Sequence, residues 1–290
     1  MKRPPAQCNR FFVSTDFSVS YRRAKQLEWQ SPAASGYSLL AVLSGRLVYT
    51  TDGESRDLDA AQFVLFEPNA SLVANASHVE ILLLTFSASL VMQHATAMHL
   101  VPANSTVSFK AGQLSGDQKL DAVFAEFVNE LTDDQPGKDI VMRALVEQLV
   151  VHVLRNYAQP RRSEQLELSR VGLVDRRIRR SVELMHTQLD QELTLKALAA
   201  ASYLSPFHFA RLFKKLTGAT PHNYLAGVRA TRAQLLLAET ELSVTEIGSR
   251  VGYLSASHFT KAFRLATGTT PREFRKGLIP ANSSSAIERQ

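Results

Sequence analysis

The spacing of apolar and polar positions changes character once along the chain. Over residues 10–110, short apolar stretches (37–45, 46–53, 62–69 and 79–86) alternate with turn signals. Asp52-Gly53 is a hairpin signal between two strand-like stretches. Many short strands with evenly spaced turns predict a small barrel or sandwich. Helical spacing then takes over. Leu120, Phe124, Phe127 and Leu131 form one stripe over 117–131. Ile140, Leu145, Leu149 and Val153 form another over 138–157, and Gln135-Pro136-Gly137 separates the two. The polar stretch 158–170, which contains Pro160, reads as a linker. From Asp175 onward the pattern is helical, opening with Ile178, Val182, Met185 and Leu189, and the tail from Ile279 is polar enough to predict disorder.

The helical part contains an internal repeat at an offset of 50. Residues 205–225 lie over 255–275 with eight of 21 positions identical, where chance supplies about one. Two copies are too few for a solenoid, so a pair of related supersecondary units is expected. Ser205 and Ser255 can cap helices. Phe209, Leu212, Phe213 and Leu216 share a face, as do Phe259, Ala262, Phe263 and Ala266. Gly218 and Gly268 mark helix ends, and Thr220-Pro221 and Thr270-Pro271 restart helices. Ser243-x-x-Glu246 and Thr270-x-x-Glu273 are capping boxes. A short helix precedes each unit, which makes each one helix, tight turn, helix.

Charge sharpens this picture. The chain carries a net +6, split as −2 over residues 1–165 and +8 over 166–290, so the repeat-bearing part suits a polyanionic partner. The single cysteine, Cys8, excludes an internal disulfide and every multi-cysteine zinc motif, in keeping with a reducing cytoplasm; Cys8 itself reads as incidental. No apolar stretch long enough to span a bilayer, and no secretory leader, is read from the sequence, so no membrane partner is expected.

The order of these features is specific. An Ala-rich short helix leads into Leu204-Ser205-Pro206-x-His208-Phe209. A linking helix with Arg232-Ala233 and Leu236-Leu237 follows. Next come Ser243-Val244-x-Glu246-Ile247, Val251-Gly252-Tyr253 and Ser257-His258-Phe259, and then Gly268-x-x-Pro271-x-x-Phe274-Arg275. Together they resemble the DNA-binding domain of the AraC/XylS family of transcription regulators over residues 173–277. Tyr203 stands where the family usually has the glycine of the first turn.

On each second helix the face opposite the phenylalanines should point outward. Phe207, Ala210, Arg211 and Lys214 lie there in the first unit, and Ser257, Thr260, Lys261 and Arg264 in the second. The resemblance assigns base contact to the same positions. Arg211 and Lys261 suit guanine O6/N7, and Phe207 suits a thymine methyl. Ser257 and Thr260 suit bases or phosphates, while Lys214, Lys215 and Arg264 suit phosphates. Arg229 and Arg232 on the linking helix fit phosphate contact or internal packing equally. His208 and His258 have no second ligand at i+4 and read as structural.

Leu43–Val48, Gly53 and 63–69 resemble the cupin-like sensing domain found ahead of this DNA-binding domain in many family members, with Ala61-Gln62 where Gly-Asp is common. His78, His94 and His99 are scattered without a His-x-His, so neither a metal nor another cofactor is expected. Trp29, Tyr37, Phe66 and Phe86 are candidates either to line an effector cavity or simply to fill the core. The helices at 117–131 and 138–157 either form a dimer contact, as the resemblance suggests, or pack on the barrel.

The combined expectation is an α+β chain. A cupin-like β-barrel with two following helices (1–158) is joined by a linker (159–172) to an all-α double helix-turn-helix domain (173–278), with a disordered tail (279–290). The expected function is sequence-specific, non-enzymatic binding of double-stranded DNA under control of a small-molecule effector, with homodimerisation and contact with RNA polymerase as the resemblance implies. The competing readings are a cupin-type enzyme and a ligand-independent DNA-binding protein.

Overall fold

The computed structural model describes the whole chain apart from residues 1–7, 32–35, 52, 69, 71, 101–106, 111, 134, 160–175, 218 and 280–290. The sheet region comprises β1 (Cys8–Val13), β2 (Phe17–Ser31), β3 (Tyr37–Thr51), β4 (Glu54–Asp59), β5 (Gln62–Phe66), β6 (Leu72–Phe86), β7 (Ser108–Phe109), β8 (Leu114–Ser115) and β9 (Ala158–Gln159). Seven strands form an antiparallel sheet in the order β1-β2-β6-β3-β5-β8, with β4 on β3; β7 and β9 pair separately. Among the described residues no pairing closes the sheet edge to edge, so the cupin-like part is an open sheet folded around its core.

Alternation along β3 explains how both faces are covered. Leu39 and Ala41 join the cluster beneath the helices, whereas Leu40 and Val42 enter an inner cluster with Trp29, Leu47, Tyr49 and Phe66. The stretches 37–45 and 46–53 are one strand rather than two. Register shifts around Ser44 absorb the turn signal, and Gly45 sits there at φ +85° with the His78 carbonyl where a Cβ would stand. The β3–β4 hairpin pairs Thr51 with Glu54 around Gly53 (φ +82°); Asp52 lies outside the described residues.

Within the stretch expected to be all strand, α1 (Ala88–Ala97) forms instead. The Ser87 side chain caps it and Val91 and Ala95 anchor it, which is too short an apolar face to stand out as a period. The helices α2 (Gln118–Thr132) and α3 (Lys138–Tyr157) occupy the expected places. All four stripe residues of α2 are buried, but Ile140 on α3 is 71% exposed, and Met142 and Val146 take the core instead. Cys8, expected to be incidental, is buried in the cluster under the helices.

The C-terminal part is helical: α4 (Arg176–Thr187), α5 (Leu195–Ala201), α6 (Pro206–Thr217), α7 (Pro221–Glu239), α8 (Val244–Arg250), α9 (Ala256–Thr267) and α10 (Pro271–Gly277). At the start of the expected linker, Ala158–Gln159 form β9 against β7 instead, while its remainder from 160, the start at Asp175, Gly218 and the tail from 280 lie outside the described residues. Ile279, expected to begin that tail, is held by its N–H donating to the Phe11 carbonyl at 2.9 Å. Two cores form, one around Phe209 and Phe213 and one around Phe259 and Phe263. The second also takes in Phe11 from β1, while the neighbouring Phe12 points into the sheet cluster, so one strand serves two cores.

Candidate nucleic-acid interface

Local chemistry builds each helix-turn-helix unit. Thr194 caps α5, and Ser243 with Glu246 forms a complete capping box on α8. Ser255 accepts from the His258 N–H at 3.2 Å, and Ser205 makes the corresponding, longer contact of 3.4 Å to His208. Thr220 and Thr270 cap α7 and α10 with proline in the first turn. Gly268 ends α9 at φ +74°.

The turns of the two units differ. Tyr203 itself takes the left-handed conformation (φ +54°), in the place where the family usually has glycine, while in the second unit Gly252 does so (φ +83°). These positions are 49 apart and the following caps Ser205 and Ser255 are 50 apart, so the second turn holds one extra residue. That residue is Leu254, 93% exposed. The Tyr203 ring is solvent-facing, with the Arg180 guanidinium 5.6 Å from its centroid.

The expected contact residues fall on outward faces. Phe207, Arg211, Lys214 and Lys215 on α6, and Ser257, Lys261 and Arg264 on α9, lie there, most of them exposed; Ala210 and Thr260 are half-buried at the edges of the same faces. Phe207 is 79% exposed, an unusual place for a phenylalanine with a packed core one turn away. None of the five cations on these faces forms an ion pair among the described residues. His208 and His258 are exposed as well, and His258 stacks edge-on against Tyr253 at 5.3 Å.

The sheet reaches the second unit through a contact that sequence reasoning missed. Arg22 on β2 is buried, and its guanidinium donates to the Thr267 carbonyl at the end of α9. The Trp29 indole donates to the adjacent Ala266 carbonyl at 2.9 Å. Phe11 and Phe274 stack at 4.3 Å, and Arg22 lies over both Phe11 and Trp29. Burial lowers the Arg22 pKa to about 10, and its Nη1 is buried with no hydrogen-bond partner among the described residues. Arg22 borders a cavity of about 200 Å³ between β1, β2 and α7, whose wall includes Trp29, Phe86, Thr231 and Gln234. Of the four effector candidates, Trp29 and Phe86 border this cavity. Tyr37 is buried with its hydroxyl donating to the Val107 carbonyl, and Phe66 packs edge-on against Tyr49. An arginine one residue from an equally charged neighbour on a strand carries no sequence signal that it will be the buried one.

Comparison with known proteins bears on the same segment. A helix-turn-helix domain model matches residues 198–277. The HTH-type transcriptional regulator MtrA of Neisseria gonorrhoeae is 30% identical over 127 residues, 42% of each chain, so this chain spans less than half the length of that curated relative. An apo form of a ToxT variant from Vibrio cholerae matches in fold at TM-score 0.61 and 13% identity, covering 92% of this chain and 99% of that one. An unsaturated fatty acid-bound wild-type ToxT of the same organism matches at TM-score 0.58 and 13% identity, covering 90% and 95%. The residue pattern, the paired helical units and the domain match agree: over residues 198–277 the chain carries a helix-turn-helix domain similar to those of the HTH-type transcriptional regulators it matches.

Proposed function

We propose that the protein is a sequence-specific, non-enzymatic DNA-binding transcription regulator of the cytoplasm. In this reading α6 and α9 enter successive major grooves, and the sheet region carries the effector response. The carrying observation is the duplicated outer face. Two helices with the same buried phenylalanine spacing present cations that form no ion pair among the described residues: Arg211, Lys214 and Lys215 on one, Lys261 and Arg264 on the other. Arg211 and Lys261 read bases, together with Phe207, Ala210, Ser257 and Thr260; the remaining cations neutralise phosphates.

The effector reading rests on the cavity beside Arg22. A buried guanidinium beside a cavity of mixed lining, with Trp29 and Phe86 next to Thr231 and Gln234, suits one carboxylate on an apolar body. The ToxT form bound to an unsaturated fatty acid supports that class of ligand. Tyr37 and Phe66 then act as packing residues. A homodimer and a contact with RNA polymerase complete the proposal, the former through the exposed side of α3 around Ile140 and Val141.

The test is selection of DNA sites by the purified protein, followed by binding of variants at several salt concentrations. Arg211→Ala and Lys261→Ala are each expected to cost about 1–3 kcal/mol and to relax the preference at separate base pairs. Lys214→Ala with Lys215→Ala is expected to flatten the salt dependence by about two units of slope. Unchanged affinity and slope in all of these variants would remove the assignment.

A further inference from the structure

On the linking helix α7 the Arg229 side chain points inward and joins the two units. Its Nε donates to the Leu189 carbonyl at 3.0 Å and its Nη2 to the Gln191 carbonyl at 2.8 Å. Both acceptors belong to the loop between α4 and α5, in the first unit. The guanidinium also lies 5.3 Å from the ring centroid of Tyr253, in the turn of the second unit. Three elements thus meet on one planar cation, whose fork of donors suits two carbonyls and a ring at once.

The surroundings are built for that contact. Gly252 has a positive φ, and a Cβ there would overlap both the Leu189 carbonyl and the Arg229 guanidinium. Leu189 packs against both helical cores. The corresponding turn of the first unit is open, with Tyr203 facing solvent. The same turn is therefore held only by Arg180 of its own unit in one case and locked against the neighbouring unit in the other.

We infer that Arg229 is a positioning residue that sets the relative placement of α6 and α9, and through it the spacing of the two DNA boxes the protein accepts. The inference rests on the DNA-binding reading above. At about 1.5 Å per residue the 19-residue α7 spans about 28 Å, short of the roughly 34 Å of one duplex turn. The two reading helices must therefore be held at a definite offset from its ends. A swing of about 3.4 Å at either end is one base-pair step. Packing of Leu189 alone resists separation of the units, whereas two directed hydrogen bonds and a stacked ring also resist rotation.

The experiment uses the full chain and duplexes carrying both selected boxes at the selected spacing, with one or two base pairs inserted, and each box alone. Wild type is expected to lose about tenfold or more in affinity per inserted base pair, the scale of a single mismatch. Arg229→Ala is expected to lose less than about threefold on insertion while keeping single-box affinity within about twofold. Arg229→Lys, which retains the cation over Tyr253 but not the fork, should fall between them. If Arg229→Ala does not fold, Arg229→Lys and Tyr253→Ala carry the comparison, and both should tolerate insertion better than wild type. An insertion penalty as steep in these variants as in wild type overturns the inference, as does a wild type indifferent to spacing. Failure of wild type to bind any selected duplex would instead remove the DNA-binding reading itself.

Discussion

Ala61 and Tyr203 both adopt backbone conformations that L-residues avoid, at φ +61° and +54°. Both stand where the family resemblance would place glycine. Tyr203 has compensation in the Arg180 guanidinium, which stacks on its ring and donates to its hydroxyl. Ala61 is exposed, and its backbone N–H donates to the Val42 carbonyl at 2.9 Å, which holds the turn whatever side chain is present. Ala61→Gly should therefore stabilise the protein by about 0.5–1 kcal/mol, the left-handed penalty less the greater unfolded-chain entropy of glycine. Chemical denaturation would show this as a higher midpoint at unchanged slope, and a lower midpoint would refute it. Both departures from glycine were visible in the sequence; what compensates Tyr203 was not, because Arg180 lies 23 positions away.

Asp117 holds α2 and α3 together at the level of whole elements. It caps α2 through the Lys119 and Leu120 N–H groups. It also accepts from the Tyr157 hydroxyl at 2.7 Å and pairs with His152 Nε2 at 2.7 Å, both near the end of α3. Burial alone would raise the Asp117 pKa, but the hydrogen bonds from Tyr157 and His152 outweigh it and hold the carboxyl below its usual range. A carboxyl depressed in the folded state adds stability above its unfolded pKa, and that stability is lost as pH falls through the folded value. Asp117→Asn is therefore expected to cost about 1–3 kcal/mol at pH 7, with the gap from wild type closing below about pH 4. Thermal melts across pH would check this, and a gap that widens in acid would contradict it. The two helices and the break at Gly137 were legible from their apolar spacing, whereas the clamp was not, since it joins residues 35 and 40 positions apart.

Across the whole molecule, the sheet grips the second helix-turn-helix unit through Arg22, Trp29 and Phe11. Arg22 is a fully buried cation, and lowering its pKa from 12.5 to about 10 corresponds to a burial penalty on the order of 3 kcal/mol at neutral pH. An anion in the adjoining cavity would offset that penalty. Carboxylates with an apolar chain are accordingly expected to raise the thermal midpoint of wild type, by about 2.7 kcal/mol of stabilisation at one hundred times Kd. The matching alcohols should have little effect, and Arg22→Met should abolish the carboxylate response. Equal stabilisation of wild type and Arg22→Met would disconnect Arg22 from the ligand.

Much of the local structure was determined by the sequence: the period of α2, the places of both helices, the caps at Ser243, Thr220 and Thr270, the duplicated phenylalanine faces and the cationic ridges outside them. These depend on residues within a turn or two of one another, and each is a nearest-neighbour preference of the backbone or of an amphipathic face. Only the tertiary structure decided which arginines turn inward. Arg22 and Arg229 resemble Arg23 and Arg232 in the sequence, yet the first pair is drawn inward by carbonyls contributed from 38 to 245 positions away. The same holds for Phe11, which alternation places opposite Phe12 but only packing assigns to the core of the second helix-turn-helix unit. Long-range closure selects among equivalent local patterns, so the contacts joining the sheet to the helical units are written in three dimensions.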